Sequence, residues 1–344
     1  MIPEPPPPLP ELPDLPVLLA ALLRQIPRGS VSTYGTLAAS LGDRAAARWV
    51  GTYALHHEHS PACCCHRVVR ADGSPGGFIA GSPEEKLALL AEEGVPTFSG
   101  RAFPAAGWFD AFNLADREPP LAALRRWQNE IAARVVLEPL AQLPRTVLGL
   151  DVSYAPAEFE DRAARGVAAA VLVEVATGRT LRTVLVEQPV RFPYITSYLA
   201  FRELPLLLAA TEAVRAEGEE PEMLLVDGSG ILHPRRGGIA ALTGVLAGIP
   251  TVGLTKKLIC GRVEEAEHAG GLRLIHHEGD LLGAALRPPS GTARDHYVSP
   301  GHRIDVPTAA AVVSRLYHGR RLPEPIHQAD RLSRRRAREL NRGI

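Results

Sequence analysis

The feature that most constrains the fold is a series of three strongly apolar runs in the second half of the chain. They are TVLGLDVSYA (146–155), GVAAAVLVEVAT (166–177) and TLRTVLVEQPV (180–190). Runs this short and this apolar predict strands buried in a central sheet. Helical sequence follows at 198–217, and strand and helix patterns then alternate from EMLLVDGSG (222–230) onwards. Because the alternation follows an initial meander, the second half is predicted to be a mixed α/β layer fold.

A stretch without periodicity divides the chain into two parts. Residues 95–117 carry proline, glycine and serine, and no helical or strand pattern runs through them. A chain of 344 residues exceeds the usual size of one domain, so a boundary is expected here. The predicted organisation is a proline-rich disordered lead at 1–16, a first domain at 17–100, a linker at 101–118 and a second domain at 119–344.

Two short helical patterns lie in the first domain, within STYGTLAASLGDRAAARWVGTYALHH (32–57). A tight turn around Gly42 separates them, and Thr33 or Ser32 can cap the first helix. Two short helices joined by a brief turn are typical of a helix-turn-helix, whose second helix commonly enters a DNA groove. The same pattern also fits a helical hairpin that binds nothing, so it does not establish DNA binding by itself.

Charge and cysteine content exclude several classes of protein. The formal net charge is +0, so DNA binding would depend on local basic patches rather than on bulk charge. Three of the 4 cysteines are adjacent, which is not the framework of a small disulfide-bonded domain. The lead has no signal-peptide pattern, and no run of about twenty apolar residues occurs. We therefore expect a cytoplasmic, monomeric protein without membrane contact.

Acidic residues lie in or near the predicted strands of the second half. Asp151 lies within GLDVSY and Asp227 ends LLVDG, while Glu203 lies on the intervening helix and Asp305 near the chain end. A carboxylate in a buried strand is costly, and two at adjacent strand ends repel each other. A bound Mg²⁺ would resolve both problems, and such a site can activate water for phosphate hydrolysis. Each acid taken alone could instead cap a loop.

Five ordered motifs in the second half resemble the endonuclease V family. They are VLGLDVSY, FPYITSYLAFRE, LLVDGSGILHPRRGGIA, PTVGLTKKLICG and VSPGHRI, within roughly residues 120–325. The resemblance implies a ribonuclease H-like fold, a Mg²⁺ cofactor and recognition of deaminated bases in DNA, chiefly hypoxanthine. It also implies that the strand is nicked at the second phosphodiester on the 3′ side of the lesion. Whether RNA is a substrate stays open.

The resemblance to endonuclease V also implies roles for the matching residues. Asp151, Glu203 and Asp227 would be the catalytic carboxylates, and Asp151 and Asp227 would hold the metal. The residues that would position phosphate, water or a second ion are His233, Lys256 and His302.

Tyr194 matches the tyrosine that the family uses as a wedge, which fills the gap left when the lesion base leaves the stack. Base flipping costs a few kcal/mol, and a stacked aromatic ring offsets part of that cost. The motif departs from the family at PYITS, where proline and glycine usually follow PYI. This departure concerns the shape of the wedge loop and not the chemistry.

The first domain contains HHEHSPACCCHRVV (56–69), in which three cysteines adjoin four histidines. These residue types favour a metal site, since zinc prefers thiolates and imidazoles. They also fit a redox site or a single nucleophilic thiol. Cys65 directly precedes His66, and Glu93 lies downstream as an acid that could orient the histidine. A nucleophile, a base and an orienting acid are the elements of an activated thiol.

Residues 20–95 also resemble the C-terminal domain of O6-alkylguanine-DNA alkyltransferase. The matching motifs are IPRGSVSTYGTLAASLG, AARWVG, CCHRVV, GGF and KLALLAEEG. The resemblance implies that Cys65 accepts the alkyl group of a flipped O6-alkylguanine, with His66 as its base through a water and Glu93 behind the histidine. It further implies that Tyr34 rotates the phosphate and that Arg48 fills the vacated stack.

Three positions depart from the alkyltransferase pattern. Cys64 replaces the proline before the nucleophile, His57 an asparagine that braces the active site, and Phe78 a tyrosine. The match also lacks the family's separate N-terminal domain, as do alkyltransferase-like proteins, which bind alkylated DNA without transfer. Transfer, binding without transfer and a metal site in the cluster therefore remain three interpretations of the first domain; His56 and His59 can share a helical face.

These observations predict a bifunctional DNA-repair protein. Its fold is expected to be α/β, with an N-terminal helix-turn-helix (winged-helix-like) alkyltransferase domain followed by a ribonuclease H-like mixed-sheet domain. Its expected partners are DNA that contains inosine and DNA that contains O6-alkylguanine. The rival hypothesis is a damage-sensing adaptor whose first domain only binds alkylated DNA and recruits other proteins.

Overall fold

A computed structural model of the chain describes most of its residues. The described ranges are 5–60, 63–104, 107–114, 118–155, 164–266, 268, 272–289 and 294–342. Parts of the predicted lead and linker, residues 1–4, 105–106 and 115–117, lie outside the described residues.

The first half of the chain is mainly helical. Its helices are α1 (Leu15–Leu23), α2 (Tyr34–Ser40), α3 (Ala47–His56) and α4 (Pro83–Glu92). Its short strands are β1 (Ser32–Thr33) and β2 (Val68–Val69), which pair in parallel, and β3 (Thr97–Phe98) and β4 (Arg101–Ala102), which pair antiparallel. Two 3-10 turns complete it, at Arg44–Ala46 and Cys65–Arg67.

Capping residues set the limits of the helices in the first half. The side chain of Thr33 accepts a hydrogen bond from the backbone N–H of Thr36 and so caps α2. Ser82 and Glu85 form a reciprocal capping box at the start of α4. Gly42 ends the α2 segment at φ +108°, a conformation that glycine adopts without strain. The two helices predicted at 32–57 are present as α2 and α3, and their use as a helix-turn-helix stays a prediction.

The second half contains a nine-stranded mixed sheet. Its strands are β5 (Thr146–Ala155), β6 (Ala164–Glu174), β7 (Thr180–Val190), β8 (Met223–Asp227), β9 (Thr251–Thr255), β10 (Arg262–Val263), β11 (Arg273–His277), β12 (Asp280–Leu286) and β13 (His296–His302). The strand order is β10-β11-β12-β13-β9-β8-β5-β6-β7, in which β5, β8 and β9 run parallel. The three apolar runs become β5, β6 and β7, so the predicted mixed α/β fold is confirmed.

Helices cover both faces of this sheet. They are α5 (Pro120–Ala132), α6 (Leu199–Ala216), α7 (Ile239–Ala247), α8 (Val306–Arg315) and α9 (Glu324–Asn341). Leu148 and Leu150 of β5 pack into the same apolar cluster as α6 and α7. Val147, from the opposite face of β5, packs into the cluster that contains α8 and Ile326 of α9. The alternation of side chains along β5 therefore directs Asp151 to the face covered by α9.

A shared apolar core joins the first half to the second. Leu19, Leu37 and Leu41 belong to the same buried cluster as Trp127 and Phe201. The backbone N–H of Leu121 also donates to the carbonyl of Leu41 at 2.8 Å. The α2–α3 turn therefore packs against α5 and α6.

The lead and the linker both contact the rest of the chain, and the predicted domain boundaries stay a prediction. Trp127 Nε1 donates to the carbonyl of Pro8 at 3.0 Å, so this part of the lead lies along α5. Proline removes backbone donors but leaves every carbonyl free to accept, which allows this contact. In the linker, Phe109 and Phe112 pack edge to face with ring centroids 4.9 Å apart, and both contact the shared core. Among the described residues, no helix is both long and apolar enough to cross a membrane.

Candidate functional site

Three carboxylates meet at one edge of the sheet. Strands β5 and β8 pair in parallel with Leu150 opposite Val226, so Asp151 and Asp227 follow side by side. Asp330 of α9 is the third member of the group. One carboxylate oxygen of each aspartate lies within 4.8 Å of the other two. Three acids converge here because Asp151 and Asp227 lie side by side on the parallel strands β5 and β8, and α9 brings Asp330 beside them.

The chemistry of this acidic group fits a divalent cation. Asp151 is only 8% exposed, and burial, followed by the charge of Asp227, raises the pKa of Asp151 to about 7. Ser333 Oγ donates to Asp151 Oδ2 at 2.6 Å, and Lys256 Nζ donates to Asp227 Oδ2 at 2.7 Å. Lys256, together with Arg334, whose Nη2 lies 2.9 Å from Asp330 Oδ1, offsets only part of the negative charge of three carboxylates. A hard divalent cation, which takes carboxylate oxygens and retains waters, would offset the rest.

Glu203 is buried beside the acidic group, on α6. Burial raises the pKa of Glu203 to about 8, with the charges of Asp151 and Asp227 acting in the same direction. Tyr154 of β5 donates a hydrogen bond to Glu203 Oε1 at 3.0 Å, and the guanidinium of Arg202 lies 4.3 Å from the Tyr154 ring centroid. Glu203 is therefore positioned to hold a proton near neutral pH, unlike an ordinary surface glutamate.

The sequence analysis missed Asp330, which belongs to the acidic group, and it singled out Asp305, which does not. Asp330 lies in the polar-looking stretch IHQADRLSR, and no apolar strand precedes it. A signal was available, because Ile326, Ala329 and Ser333 mark the buried face of α9 and Asp330 borders it. Asp305, by contrast, caps α8, where its carboxylate accepts from the backbone N–H of Thr308 at 2.9 Å. Asp305 is therefore a capping residue, as the alternative interpretation of each acid allowed.

The predicted histidine of β13, His302, lies at the end of its strand that is farther from Lys256. Strand β13 is antiparallel to β9, with Tyr297 opposite Thr255 and His302 opposite Thr251. Lys256 directly follows Thr255, so His302 lies about 13 Å away from the Lys256 end along the strand. The structure does not bring His302 to the carboxylates.

Another histidine of β13 is close to the acidic group. His296 begins the strand, and its Nδ1 lies 2.8 Å from the hydroxyl of Tyr317. Burial lowers the pKa of His296, and the nearby positive charge of Lys256 lowers it further. No sequence pattern indicated this residue, because the register between β13 and β9 decides which histidine lies near Lys256.

His233 and Arg235 lie in the loop between β8 and α7. His233 Nδ1 accepts from the backbone N–H of Arg235 at 3.1 Å. Burial, followed by the charge of Arg235, lowers the pKa of His233 to about 4, so the ring is neutral near pH 7. Arg235 spans two elements, because it donates to Gln128 Oε1 of α5 at 2.8 Å and to the backbone carbonyl of Ser197.

Tyr194 is exposed on the loop before α6, with 64% of its surface accessible. The same loop contains Ser197, which adopts φ +64°. This left-handed conformation favours glycine, the residue that the family usually carries here. Ser197 therefore adopts the backbone conformation that a glycine would adopt here, and hydrogen bonds from Arg235 hold it. The change from glycine to serine within PYITS is accommodated without a different loop conformation at this residue.

In the first half, His66 and Glu93 form the predicted pair. His66 Nε2 lies 3.0 Å from Glu93 Oε1, and Arg67 donates to both oxygens of Glu93 at 2.7 and 2.8 Å. Burial alone would raise the pKa of Glu93, but hydrogen bonds from Arg67 and His66 lower it to about 2. Cys65 precedes His66 in the same 3-10 turn and is buried.

The cysteines interact with the two histidines that precede them. His57 Nε2 lies 3.0 Å from Cys63 Sγ, and His59 Nδ1 lies 3.7 Å from Cys65 Sγ. A hydrogen bond from Cys65, together with one from His57, lowers the pKa of Cys63 to about 3. The same Cys63–Cys65 contact and burial raise the pKa of Cys65. The two sulfur atoms therefore share one proton, and the activation of Cys65 stays a prediction.

The other predicted residues of the first half lie on the α2–α3 side. Tyr34 begins α2, and its hydroxyl accepts from Lys86 Nζ at 3.3 Å. Lys86 is 1% exposed, and burial lowers its pKa to about 8. Arg48 is exposed on α3, where it can reach a ligand. The sequence did not single out Lys86, because a lysine is rarely fully buried.

A mixed sheet with helices on both faces, and three aspartates that converge from β5, β8 and α9, are features of the ribonuclease H-like class of nucleases. The chain belongs to the endonuclease V family, whose model matches residues 129–331. Residues 18–95 match the model for the DNA binding domain of 6-O-methylguanine DNA methyltransferase. The predicted fusion of these two families is confirmed.

Relatives and solved structures cover the second half of the chain. Endonuclease V of Geotalea uraniireducens is 42% identical over 227 residues, which are 65% of this chain and 92% of the relative. The crystal structure of endonuclease V from Streptomyces avermitilis is 36% identical, with a TM-score of 0.57, and covers 63% of this chain and 93% of its own. Endonuclease V of Ciona intestinalis, in complex with DNA containing an inosine followed by a ribo-adenosine, has a TM-score of 0.58 at 26% identity, covering 65% of this chain and 100% of its own.

Proposed function

We propose that the second half is a Mg²⁺-dependent endonuclease that nicks DNA at the second phosphodiester 3′ to a deaminated base, chiefly hypoxanthine. The observation that carries this proposal is the convergence of Asp151, Asp227 and Asp330 within 4.8 Å. Family membership and the inosine-containing DNA bound by the Ciona relative support the substrate class. Inosine-containing RNA is a second candidate substrate.

The chain's own residues would hold and orient the scissile phosphate. Asp151, Asp227 and Asp330 would hold the cation, which when bound polarises the phosphate and lowers the pKa of the attacking water. Lys256 would turn its ammonium group from Asp227 towards a phosphate oxygen once a cation takes over that carboxylate. Glu203 would hold or release a proton at the edge of the site, since burial raises its pKa.

A nicking assay tests this proposal. Labelled duplexes with one inosine, a matched duplex with guanosine and an inosine-containing RNA are incubated with the full chain, with and without Mg²⁺. We expect one nick 3′ to inosine in DNA, dependent on Mg²⁺, and none in the guanosine control. Equal nicking in the presence of a chelator would contradict the metal dependence. Nicking of the RNA but not of the DNA would show that inosine-containing RNA, and not DNA, is the substrate.

For the first half, we propose binding of alkylated DNA followed by alkyl transfer to Cys65. The thiolate sulfur would attack the O6-alkyl carbon, so that an S–C bond forms and the C–O6 bond breaks. His66, oriented by Glu93, would first accept the thiol proton through a bridging water, and the departing guanine anion would then be protonated from that imidazolium. The His66–Glu93 distance of 3.0 Å supports this arrangement, whereas the raised pKa of Cys65 opposes it.

Peptide mass spectrometry separates transfer from binding alone. The chain is incubated with an O6-methylguanine duplex and digested, and the methyl group is located among Cys63, Cys64 and Cys65. We expect methylation at Cys65 and none in Cys65→Ser. Tight binding to the alkylated duplex without any methylation would establish the sensor interpretation instead.

A further inference from the structure

We propose that His57, His59, Cys63 and Cys65 form a zinc-binding site in the first half of the chain. One potential ligand atom of each residue lies within 4.8 Å of the other three. All four belong to the segment that joins the end of α3 to the 3-10 turn at Cys65–Arg67. This site is separate from the carboxylate site of the nuclease, and the proposal does not depend on alkyl transfer.

The distances suit tetrahedral zinc. With bonds of about 2.3 Å to sulfur and about 2.0 Å to nitrogen, a tetrahedral zinc ion keeps its ligand atoms roughly 3.3 to 3.8 Å apart. The structure gives 3.0 Å for His57 Nε2 to Cys63 Sγ and 3.7 Å for His59 Nδ1 to Cys65 Sγ. Shifts of about 1 Å would bring all four atoms to bonding distance.

The orientation of His57 is what a zinc ligand needs. Its Nδ1 lies 3.0 Å from the backbone carbonyl of Tyr53, and a carbonyl can only accept, so Nδ1 carries a proton. In the neutral ring, Nε2 then presents its lone pair towards Cys63. A histidine ligand whose other nitrogen donates to a carbonyl is the usual arrangement around protein-bound metals. Stacking on Tyr53, with ring centroids 5.2 Å apart, also fixes the ring plane.

The donor set selects the metal. Two thiolates and two imidazoles favour zinc over Mg²⁺, which prefers carboxylate and water oxygens. Cys65 and His57 are buried, whereas His59 is exposed, so an ion could enter from the His59 side. A metal bound here would also hold Cys65 as a thiolate, which is the charge state that alkyl transfer requires.

Matched residues outside the cluster provide controls. Cys64 lies between two of the proposed ligands, but its sulfur accepts from Arg67 Nη1 at 3.2 Å. His56 immediately precedes His57 and is exposed on the last turn of α3. Neither residue belongs to the group of converging ligand atoms. Cys63→Ser and Cys64→Ser therefore make the same chemical change with opposite expected results, as do His59→Gln and His56→Gln.

The test measures metal retained by the full chain under reducing conditions, before any exposure to alkylated DNA. After incubation with zinc and passage over a chelating column, we expect one zinc per wild-type chain. Retention should fall at least about tenfold in Cys63→Ser and His59→Gln and stay at the wild-type level in both controls. Nicking of inosine DNA reports whether each variant has folded. Equal retention in all four variants would place the zinc elsewhere.

Cobalt provides a second measurement that needs no variant. Co²⁺ bound by two thiolates absorbs in the near ultraviolet through sulfur-to-cobalt charge transfer and shows intense tetrahedral bands in the visible. We expect both features in the wild-type chain, and their loss when zinc is added. Wild-type protein that shows neither feature and retains no zinc overturns the proposal. A disulfide between Cys63 and Cys65 would also overturn the proposed zinc site. This outcome requires that the disulfide is present after purification without reductant and persists when zinc and reductant are added.

Discussion

At the scale of single residues, the acidic group depends on one side chain that the sequence did not reveal. Asp151 and Asp227 could be predicted, because each interrupts an apolar strand in which a lone carboxylate is costly. Asp330 could not, since an acid on a charged helix attracts no notice until that helix is packed against the sheet. The same holds for His296 and His302, which only the register of β13 distinguishes.

Asp330→Asn is expected to reduce nicking of inosine DNA by at least about 100-fold, as Asp227→Asn should. The asparagine keeps the size of the side chain but removes a charge that the cation would need. Single-turnover nicking at several Mg²⁺ concentrations measures the effect. Asp305→Asn is the control, because asparagine also caps helices and should leave activity unchanged. Full activity of Asp330→Asn at low Mg²⁺ would show that Asp330 does not hold the cation.

Tyr194→Ala is expected to weaken the preference for inosine over undamaged DNA more than it slows cleavage of bound substrate. An exposed ring that replaces a flipped base in the stack is worth about 1–3 kcal/mol. Competition binding between inosine and guanosine duplexes measures the preference, and single-turnover rates measure the cleavage. An unchanged preference would make Tyr194 an ordinary loop residue.

At the scale of elements, the strands were easier to predict than the loops. Two apolar runs became β5 and β6, because a strand buried on both faces has little alternative. The third became β7, but as an edge strand it is mostly exposed or half-buried, contrary to the burial predicted for it. The shape of the Tyr194 loop could not be read from PYITS, since the expected glycine was missing. The structure resolves this through Ser197, whose left-handed backbone is held by Arg235.

Substitutions at Ser197 test the backbone of this loop. Ser197→Gly should change the free energy of unfolding by no more than about 0.5 kcal/mol, because glycine relieves the strained φ while one weak hydrogen bond is lost. Ser197→Val should cost at least about 1 kcal/mol, since a β-branched residue resists φ +64°. Denaturant unfolding compares the two. Equal stability of the glycine and valine variants would contradict a left-handed residue here.

At the scale of the whole molecule, the two halves meet through a contact between the α2–α3 turn and the start of α6. Tyr198 donates to Asp43 Oδ2 at 2.7 Å, and Arg125 of α5 lies 3.3 Å from the same carboxylate. The guanidinium group of Arg235 also lies over the ring of Tyr198, 4.9 Å from the ring centroid. Asp43 is thus connected to the Tyr194 loop through Tyr198 and Arg235.

Because the halves share a core, we expect them to unfold together. Gly42→Ala should destabilise both, since a Cβ at Gly42 would lie 2.5 Å from the backbone nitrogen of Ala122. Gly94→Ala is the control, because Gly94 also has a positive φ, +89°, but a Cβ added there would meet no atom within 4 Å. The difference between the two variants isolates the junction from backbone strain.

Variants that keep only Trp49 or only Trp127 report the surroundings of α3 and of α5 by fluorescence. We expect coincident unfolding midpoints in both, and a parallel decrease in both caused by Gly42→Ala. Two separate transitions, with only the Trp49 signal sensitive to Gly42→Ala, would show that the halves fold independently.

The junction around Gly42 also bears on how such a gene can change. A break in the reading frame at the linker would release two polypeptides, each exposing the leucines and aromatic rings that now cover one another. Such fragments would tend to aggregate. Splitting the gene into two is therefore disfavoured. We expect the two halves to be inherited, expressed and degraded together, so that a cell contains equal numbers of both.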